Sequence, residues 1–149
     1  MKRVSVSLLS LVMLAASSMA ATKAPESAQQ TLYKLVEHLV KQDLGAASKL
    51  TLSAADYASI SSRKIDSTDY QKRMDDFLKQ MIHDLKSGLK MKKAETVDAL
   101  ILPAGHKTKQ EMVMVVIYAT FEVNGKALES PVPFFFVNHQ GKWKMFQRR

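Results

Sequence analysis

Residues 110–149 read QEMVMVVIYATFEVNGKALESPVPFFFVNHQGKWKMFQRR and decide the fold. Their apolar runs are short, rich in β-branched and aromatic residues, and separated by turn residues, which is typical of strands. The stretch predicts three strands, at about 110–123, 126–137 and 142–148, joined by two tight hairpins. Asn124 and Gly125 tolerate the positive φ angles that a type I′ hairpin turn requires.

The first of these strands is apolar on both of its faces. Alternate side chains of a strand point to opposite faces of the sheet. One face carries an apolar residue at every second position from Val113 to Val123. The opposite face is apolar at Met112, Met114, Val116 and Tyr118. We therefore expect this strand to be central, with something covering each side.

The two strands that follow carry their own signals. Pro131 and Pro133 lack a backbone donor, so the second strand should lie at an edge there or contain a bulge. Residues 138–141 form a polar turn, which includes His139. The last strand should place Trp143 and Met145 on one face and its lysines on the other.

The residues before this block are typical of helices and one further strand. Apolar residues at helical spacing predict helices over about 26–43, 54–62 and 68–87, with a helical turn or two near 46–52. Gly45 should end the first helix, and Thr68 with Gln71 forms a capping box for the last one. Residues 92–102 should form a strand in which Val97, Ala99 and Ile101 share a face. The order predicts an α+β domain with two to three N-terminal helices packed on a four-stranded antiparallel sheet.

The N-terminus has the three parts of a secretory signal. Lys2 and Arg3 precede an apolar region, and Ser18-Met19-Ala20 carries small residues at the two positions that a signal peptidase reads. The sequence thus predicts a signal peptide at 1–20, a linker and helix start at 21–30, and a single domain at 31–149. The apolar region is too short to span a membrane, and no lipoprotein cysteine follows it. We expect a soluble periplasmic or secreted protein.

Composition limits the chemistry of this protein. Its 149 residues suit one domain, and 46% apolar and 24% charged residues are ordinary for a globular protein. The absence of cysteine excludes disulfides, thiolate metal sites and a cysteine nucleophile. Removing the signal takes away two positive and no negative charges, so the net charge falls from +8 to +6.

The closing strands resemble those of the nuclear transport factor 2-like superfamily, in particular its small exported bacterial members of unassigned function. The residues that carry the resemblance are Pro133-Phe134-Phe135-Phe136-Val137 and Gly141-Lys142-Trp143-Lys144-Met145. The resemblance implies a curved sheet that forms a cone with the helices, and a pocket at its open end. Such pockets are catalytic in some members and bind ligands in others, so the fold alone does not define a function. The early break at Pro131 and Pro133 departs from the long strand of the family.

No constellation of residues indicates catalysis, a metal or a cofactor. The four histidines, His38, His83, His106 and His139, lack metal-ligand spacing, and no phosphate-binding glycine loop is present. We therefore predict no catalytic residues, no metal site and no cofactor, and a structural or surface role for each histidine. An enzyme of isomerase or dehydratase type would need an acid–base pair in the cone pocket. The side chains that could face it are Tyr33, His38, Asp56, Tyr57 and Tyr118.

Two sets of residues are candidates for binding. An apolar pocket or interface would use Tyr33, Tyr57, Met112, Met114, Val116 and Tyr118. A patch for an anionic partner would use Lys86, Lys90, Lys92, Lys93, Lys142, Lys144 and Arg148, if the two lysine groups join. Core packing and a solvated face are the ordinary explanations of the two sets.

The favoured function is a non-catalytic binding or interaction module with an apolar pocket or sheet face. The alternatives are a small isomerase- or dehydratase-like enzyme and a secreted effector that binds anionic surfaces through its lysines. Because helices on one side leave an apolar sheet face uncovered, we expect a homodimer packed through that face, or else a small apolar ligand.

Overall fold

The computed structural model describes residues 23–61, 64–102, 112–127 and 131–147. The predicted signal peptide, His106 and Arg148 lie outside these residues. The described residues form four helices followed by a five-stranded antiparallel sheet, which confirms the α+β class. In chain order the elements are α1 (Lys23–Val40), α2 (Leu44–Lys49), α3 (Ala54–Ile60), α4 (Ser67–Lys86), β1 (Leu89–Leu102), β2 (Met112–Val123), β3 (Lys126–Ala127), β4 (Val132–His139) and β5 (Lys142–Phe146).

The main sheet runs in the order β1-β2-β4-β5, so β2 is central as predicted. The short β3 pairs with the end of β2, so the predicted return strand is divided into β3 and β4. β5 pairs with β4 only from Phe135 onwards. Val132 to Phe134 therefore form an edge of the sheet beside β2, which is where Pro133 can be accommodated, as predicted.

One face of the sheet, here called the inner face, carries the core. β2 contributes Val115, Ile117, Ala119 and Phe121, all at most 1% exposed. The helices α1, α2 and α4 pack on this face, and β4 and β5 add Phe134, Phe136, Trp143 and Met145. The alternation predicted for β2 and β5 is thus confirmed, because every second side chain enters one core.

β1 differs from its prediction in two ways. It begins at Leu89 rather than at residue 92, and it has register shifts between Met91 and Lys93 and between Thr96 and Asp98. Ala99 and Ile101 lie opposite Val115 and Val113, but Val97 falls in the second shift, outside this register, and is 61% exposed. A β-bulge places one residue outside the alternation, which a strict period of two cannot anticipate.

The observed helix ends also differ from those predicted from the sequence. α1 ends at Val40 and is followed by Gln42 at a positive φ of 61°, so the helix ends before Gly45, the residue expected to end it. Gly45 instead lies inside α2. α4 is capped by Asp66, whose side chain accepts a hydrogen bond from the Asp69 amide, and not by Thr68. Either residue type can cap a helix, so composition alone did not separate the two positions.

Candidate functional site

The face of the sheet opposite the core, here called the outer face, carries a group of partly buried apolar side chains. They come from β2, β4 and β5, and together we call them the outer band: Met114, Val116, Tyr118, Phe135 and Phe146. The register places Val116 beside Phe135 and Phe135 beside Phe146. The Phe135 and Phe146 rings lie 6.2 Å apart between centroids and are tilted by 55°. The outer band is thus continuous across three strands.

Only one corner of the outer face is covered by a described helix. After α2 the chain pairs with β5, where the Leu52 amide donates to the Met145 carbonyl at 2.8 Å. This places Leu52 and Ile60 against Val137, which is 2% exposed, and forms a second, smaller core. Phe146 touches this cluster. In the described part of the chain, neither buried cluster includes Met114, Val116 or Tyr118.

Charged side chains border the outer band on the β1 side. Lys92 forms an ion pair with Glu122, and Lys93 forms one with Glu95. Lys90 is exposed and lies opposite Glu122 in the register. Because each of the two paired lysines has a carboxylate partner, this border is close to neutral rather than strongly basic.

The two predicted lysine groups do not join. Lys90 lies in the sheet row of Glu122, whereas Lys144 lies in the row of Val137 and Met114. These rows are roughly 26 Å apart along β2 at about 3.3 Å per residue. The groups also stand on the two outermost strands of the main sheet, β1 and β5. Lys86 is exposed at the end of α4, and Arg148 lies outside the described residues.

The tyrosines proposed for a pocket lie on three different surfaces. Tyr33 is 47% exposed on α1. Tyr57 is partly buried and stacks on Tyr70, with ring centroids 4.7 Å apart. Tyr118 belongs to the outer band, on the opposite side of the sheet from α1. The structure thus brings Met114, Val116 and Tyr118 together but separates them from Tyr33 and Tyr57. The structure describes the backbone of Met112 but not its side chain.

Sequence reasoning missed a buried histidine. His139 was expected in a turn, but it is the last residue of β4 and is 6% exposed. Its Nε2 lies 3.5 Å from Oδ1 of Asp56, in the first turn of α3. Neither ring nitrogen has a hydrogen-bond partner among the described residues. The available signal was the alternation of Phe135, Val137 and His139, which continues β4 by two residues.

This Asp–His pair is not arranged as an acid–base site. Both imidazole nitrogens are covered by protein, so a substrate would have to displace α3 to reach them. Burial, and then the neighbouring Lys142, lower the pKa of Lys144 on β5, and the charge of Asp56 partly opposes this effect. Lys144 in turn donates a hydrogen bond to the Lys49 carbonyl. Asp56 and His139 thus lie close together at the corner of the sheet under α3, without a hydrogen bond to the imidazole nitrogens among the described residues.

Tyr70 is a second buried titratable residue, and it lies near the same corner of the sheet. The Tyr70 hydroxyl donates to the Leu52 carbonyl at 3.0 Å, which fixes the segment that pairs with β5. Burial, and then the neighbouring Tyr57, raise the pKa of Tyr70 above its usual range. A tyrosine held neutral in this way is a structural hydrogen-bond donor and not a base at ordinary pH.

Within the described ranges, no three His, Asp or Glu side chains are placed to hold a metal ion. None of the helices there combines the length and the apolar character that crossing a bilayer requires. Searches against protein-family models, curated proteins and solved structures gave no significant match.

Proposed function

We propose that the protein is an exported, non-catalytic interaction module that forms a homodimer through the outer band of its sheet. The observation that carries the proposal is the continuous apolar surface of Met114, Val116, Tyr118, Phe135 and Phe146 on a face that described helices cover at one corner only. Contiguous apolar surface of this kind is uncommon on monomers and marks an interface or a ligand groove.

The composition of the outer band supports a protein partner. Tyrosine, phenylalanine and methionine are enriched at the centres of protein–protein interfaces, whereas lysine and glutamate are depleted there and occupy the rim. The outer band has this composition, and the Lys92–Glu122 and Lys93–Glu95 ion pairs lie at its margin. A second copy of the chain presents the same surface, and two-fold self-association is the commonest way to bury such a patch.

The order of elements supports placement in the nuclear transport factor 2-like superfamily as part of this proposal. Helices precede an antiparallel sheet, and a buried tryptophan, Trp143 at 8% exposure, stands on the last strand. Export follows from the charged, apolar and small-residue parts of the predicted signal, Met1 to Ala20.

An anionic-surface effector is favoured less. The lysine groups stand at opposite corners of the sheet, and Lys92 and Lys93 already have carboxylate partners. An enzyme is also favoured less, since the imidazole nitrogens of His139 are covered.

A pair of matched substitutions tests the proposed interface. Val116→Lys places a charge in the centre of the outer band, and it should convert a dimer into a monomer because an unpaired charge would be buried. Val40→Lys is the control, since Val40 is 60% exposed at the end of α1. Size-exclusion chromatography with light scattering reads the mass of both. Equal masses for Val116→Lys and the unchanged protein would contradict the proposed surface.

A further inference from the structure

A concavity that differs in chemistry from the outer band lies on the side of the sheet that α1 covers. It is a cleft of about 450 Å³ between α1 and the hairpin that joins β4 to β5. This volume falls within the range of small-molecule sites. The helix wall consists of Ser27, Gln30, Thr31 and Lys34, whose spacing of three and four residues puts them on one face of α1.

The opposite wall comes from the hairpin. Asn138 and Gly141 stand on either side of the turn, and Trp143 lines the cleft from β5. Gln140 and Gly141 take positive φ angles of 51° and 75°, which makes the turn tight. A Cβ at residue 141 would meet no atom within 4 Å, so the cleft is open at this end.

The lining has a clear chemical character. It offers hydroxyl and amide groups and one ammonium group, and it includes no carboxylate. Thr31 donates its hydroxyl to the Ser27 carbonyl at 2.9 Å, so its oxygen remains able to accept a hydrogen bond. The cleft therefore favours a ligand with one negative charge and several hydroxyl groups.

Lys34 is the residue that sets the charge of this ligand. Among the described residues it forms no ion pair, whereas Lys41, which directly follows the end of α1, is bonded to Glu37 at 2.6 Å. An ammonium group beside a polar cleft can give a carboxylate a charge-assisted hydrogen bond. Trp143 adds an apolar edge against which the carbon skeleton of a small ring can pack.

We propose that the cleft between α1 and the β4–β5 hairpin binds a small hydroxylated carboxylate of the sugar-acid class. Lys34 binds the carboxylate, Gln30 and Asn138 bind hydroxyl groups, and Trp143 contacts the ring. This site is independent of the outer band, so dimer formation and ligand binding can fail separately.

Trp143 provides the measurement, because it is the only tryptophan of the chain. Tryptophan emission of the purified protein is recorded while D-glucuronate, D-glucose or acetate is added. D-Glucuronate should give a saturable change with a Kd on the order of 1 mM, the range of weak single-charge ligands. D-Glucose lacks the carboxylate and acetate lacks the hydroxyls, so each should bind at least about ten-fold more weakly, the loss expected for one charged hydrogen bond or several neutral ones.

Two lysine variants separate a site from a general charge effect. Lys34→Ala should weaken D-glucuronate binding by about ten-fold or more, and Lys41→Ala should leave it unchanged. Lys34 is exposed on α1 and Lys41 is exposed just beyond its end, so circular dichroism should show both variants folded. The proposal is overturned if D-glucuronate gives no saturable change, if D-glucose or acetate binds equally well, or if Lys34→Ala binds as the unchanged protein does.

Discussion

The Nε2 atom of His139 lies 3.5 Å from Oδ1 of Asp56, and this contact joins the end of β4 to the first turn of α3. The histidine is 6% exposed, and neither of its ring nitrogens has a described hydrogen-bond partner. A buried polar atom without a partner costs about 1–3 kcal/mol. The imidazole at the corner of the sheet under α3 therefore lowers the stability of the fold relative to an apolar side chain of similar size.

Replacing this histidine by an apolar residue should not destabilise the protein. His139→Leu removes both unpartnered nitrogens and extends the small core of Leu52, Ile60 and Val137. We expect the free energy of unfolding at pH 7 to stay unchanged or to rise by about 1 kcal/mol in urea denaturation. His83→Leu, on the exposed surface of α4, is the control and should change it by less than about 0.5 kcal/mol. A loss above about 2 kcal/mol for His139→Leu would show that the imidazole has a stabilising partner.

The raised pKa of Tyr70 predicts a loss of stability in alkali. Its folded-state pKa lies above the unfolded value of about 10, so its contribution is complete below pH 10 and decreases as the pH rises further. Between pH 9 and 11 this one group should remove about 1.4 kcal/mol, which follows from a tenfold ionisation of the unfolded chain.

Tyr70→Phe isolates that contribution. The variant loses the hydrogen bond to the Leu52 carbonyl and should be about 1 kcal/mol less stable at pH 8. The difference from the unchanged protein should shrink towards zero by pH 11. Tyr33→Phe, at a position 47% exposed, should leave stability at pH 8 unchanged. A Tyr70→Phe deficit that stays constant from pH 8 to 11 would contradict the account.

Gly88 should be the most sensitive glycine of the described chain. It joins α4 to β1 at a φ of 103°, and a Cβ there would clash with the Asn124 side chain. We expect Gly88→Ala to lower the free energy of unfolding by more than 1 kcal/mol, since the residue combines an unfavourable backbone with a steric conflict. Gly45→Ala is the control and should raise stability by about 0.5–1 kcal/mol, because Gly45 lies inside α2 and a Cβ there would make only an ordinary contact, 3.6 Å from Oδ1 of Asp43. Equal effects at the two sites would disprove this assignment.

The proposed export predicts a processed N-terminus. The intact mass of protein recovered from cells should correspond to a chain that begins at Ala21, or within one or two residues of it. The reason is the small residues at Ser18 and Ala20, which a signal peptidase accepts. A recovered protein that still begins with Met1 would contradict the predicted compartment.

The features that the sequence predicted correctly depend on local signals. The alternation in β2 grouped the residues that share its core face, and Asn124-Gly125 made the hairpin at φ angles of 49° and 80°. Each of these features depends on residues that are neighbours in the chain. The local chemistry was therefore sufficient to find them.

The features that were missed depend on contacts between distant residues. Segment 50–52 extends the sheet beside β5 because its backbone bonds to Met145, which no periodicity reveals. His139 is buried because that segment brings α3 over it. The cleft beside Lys34 requires α1 to meet the β4–β5 hairpin, so the sequence, which places them over 100 residues apart, could not indicate it.

Sedimentation of the protein at micromolar concentration tests the central claim, the homodimer through the outer band, most directly. A concentration series should show a mass of twice that of the recovered chain, falling towards a single chain on dilution. The band of Met114, Val116, Tyr118, Phe135 and Phe146 is the surface that such a dimer would bury. A single-chain mass across the whole series, with no bound ligand in the mass spectrum of the native protein, would contradict the claim.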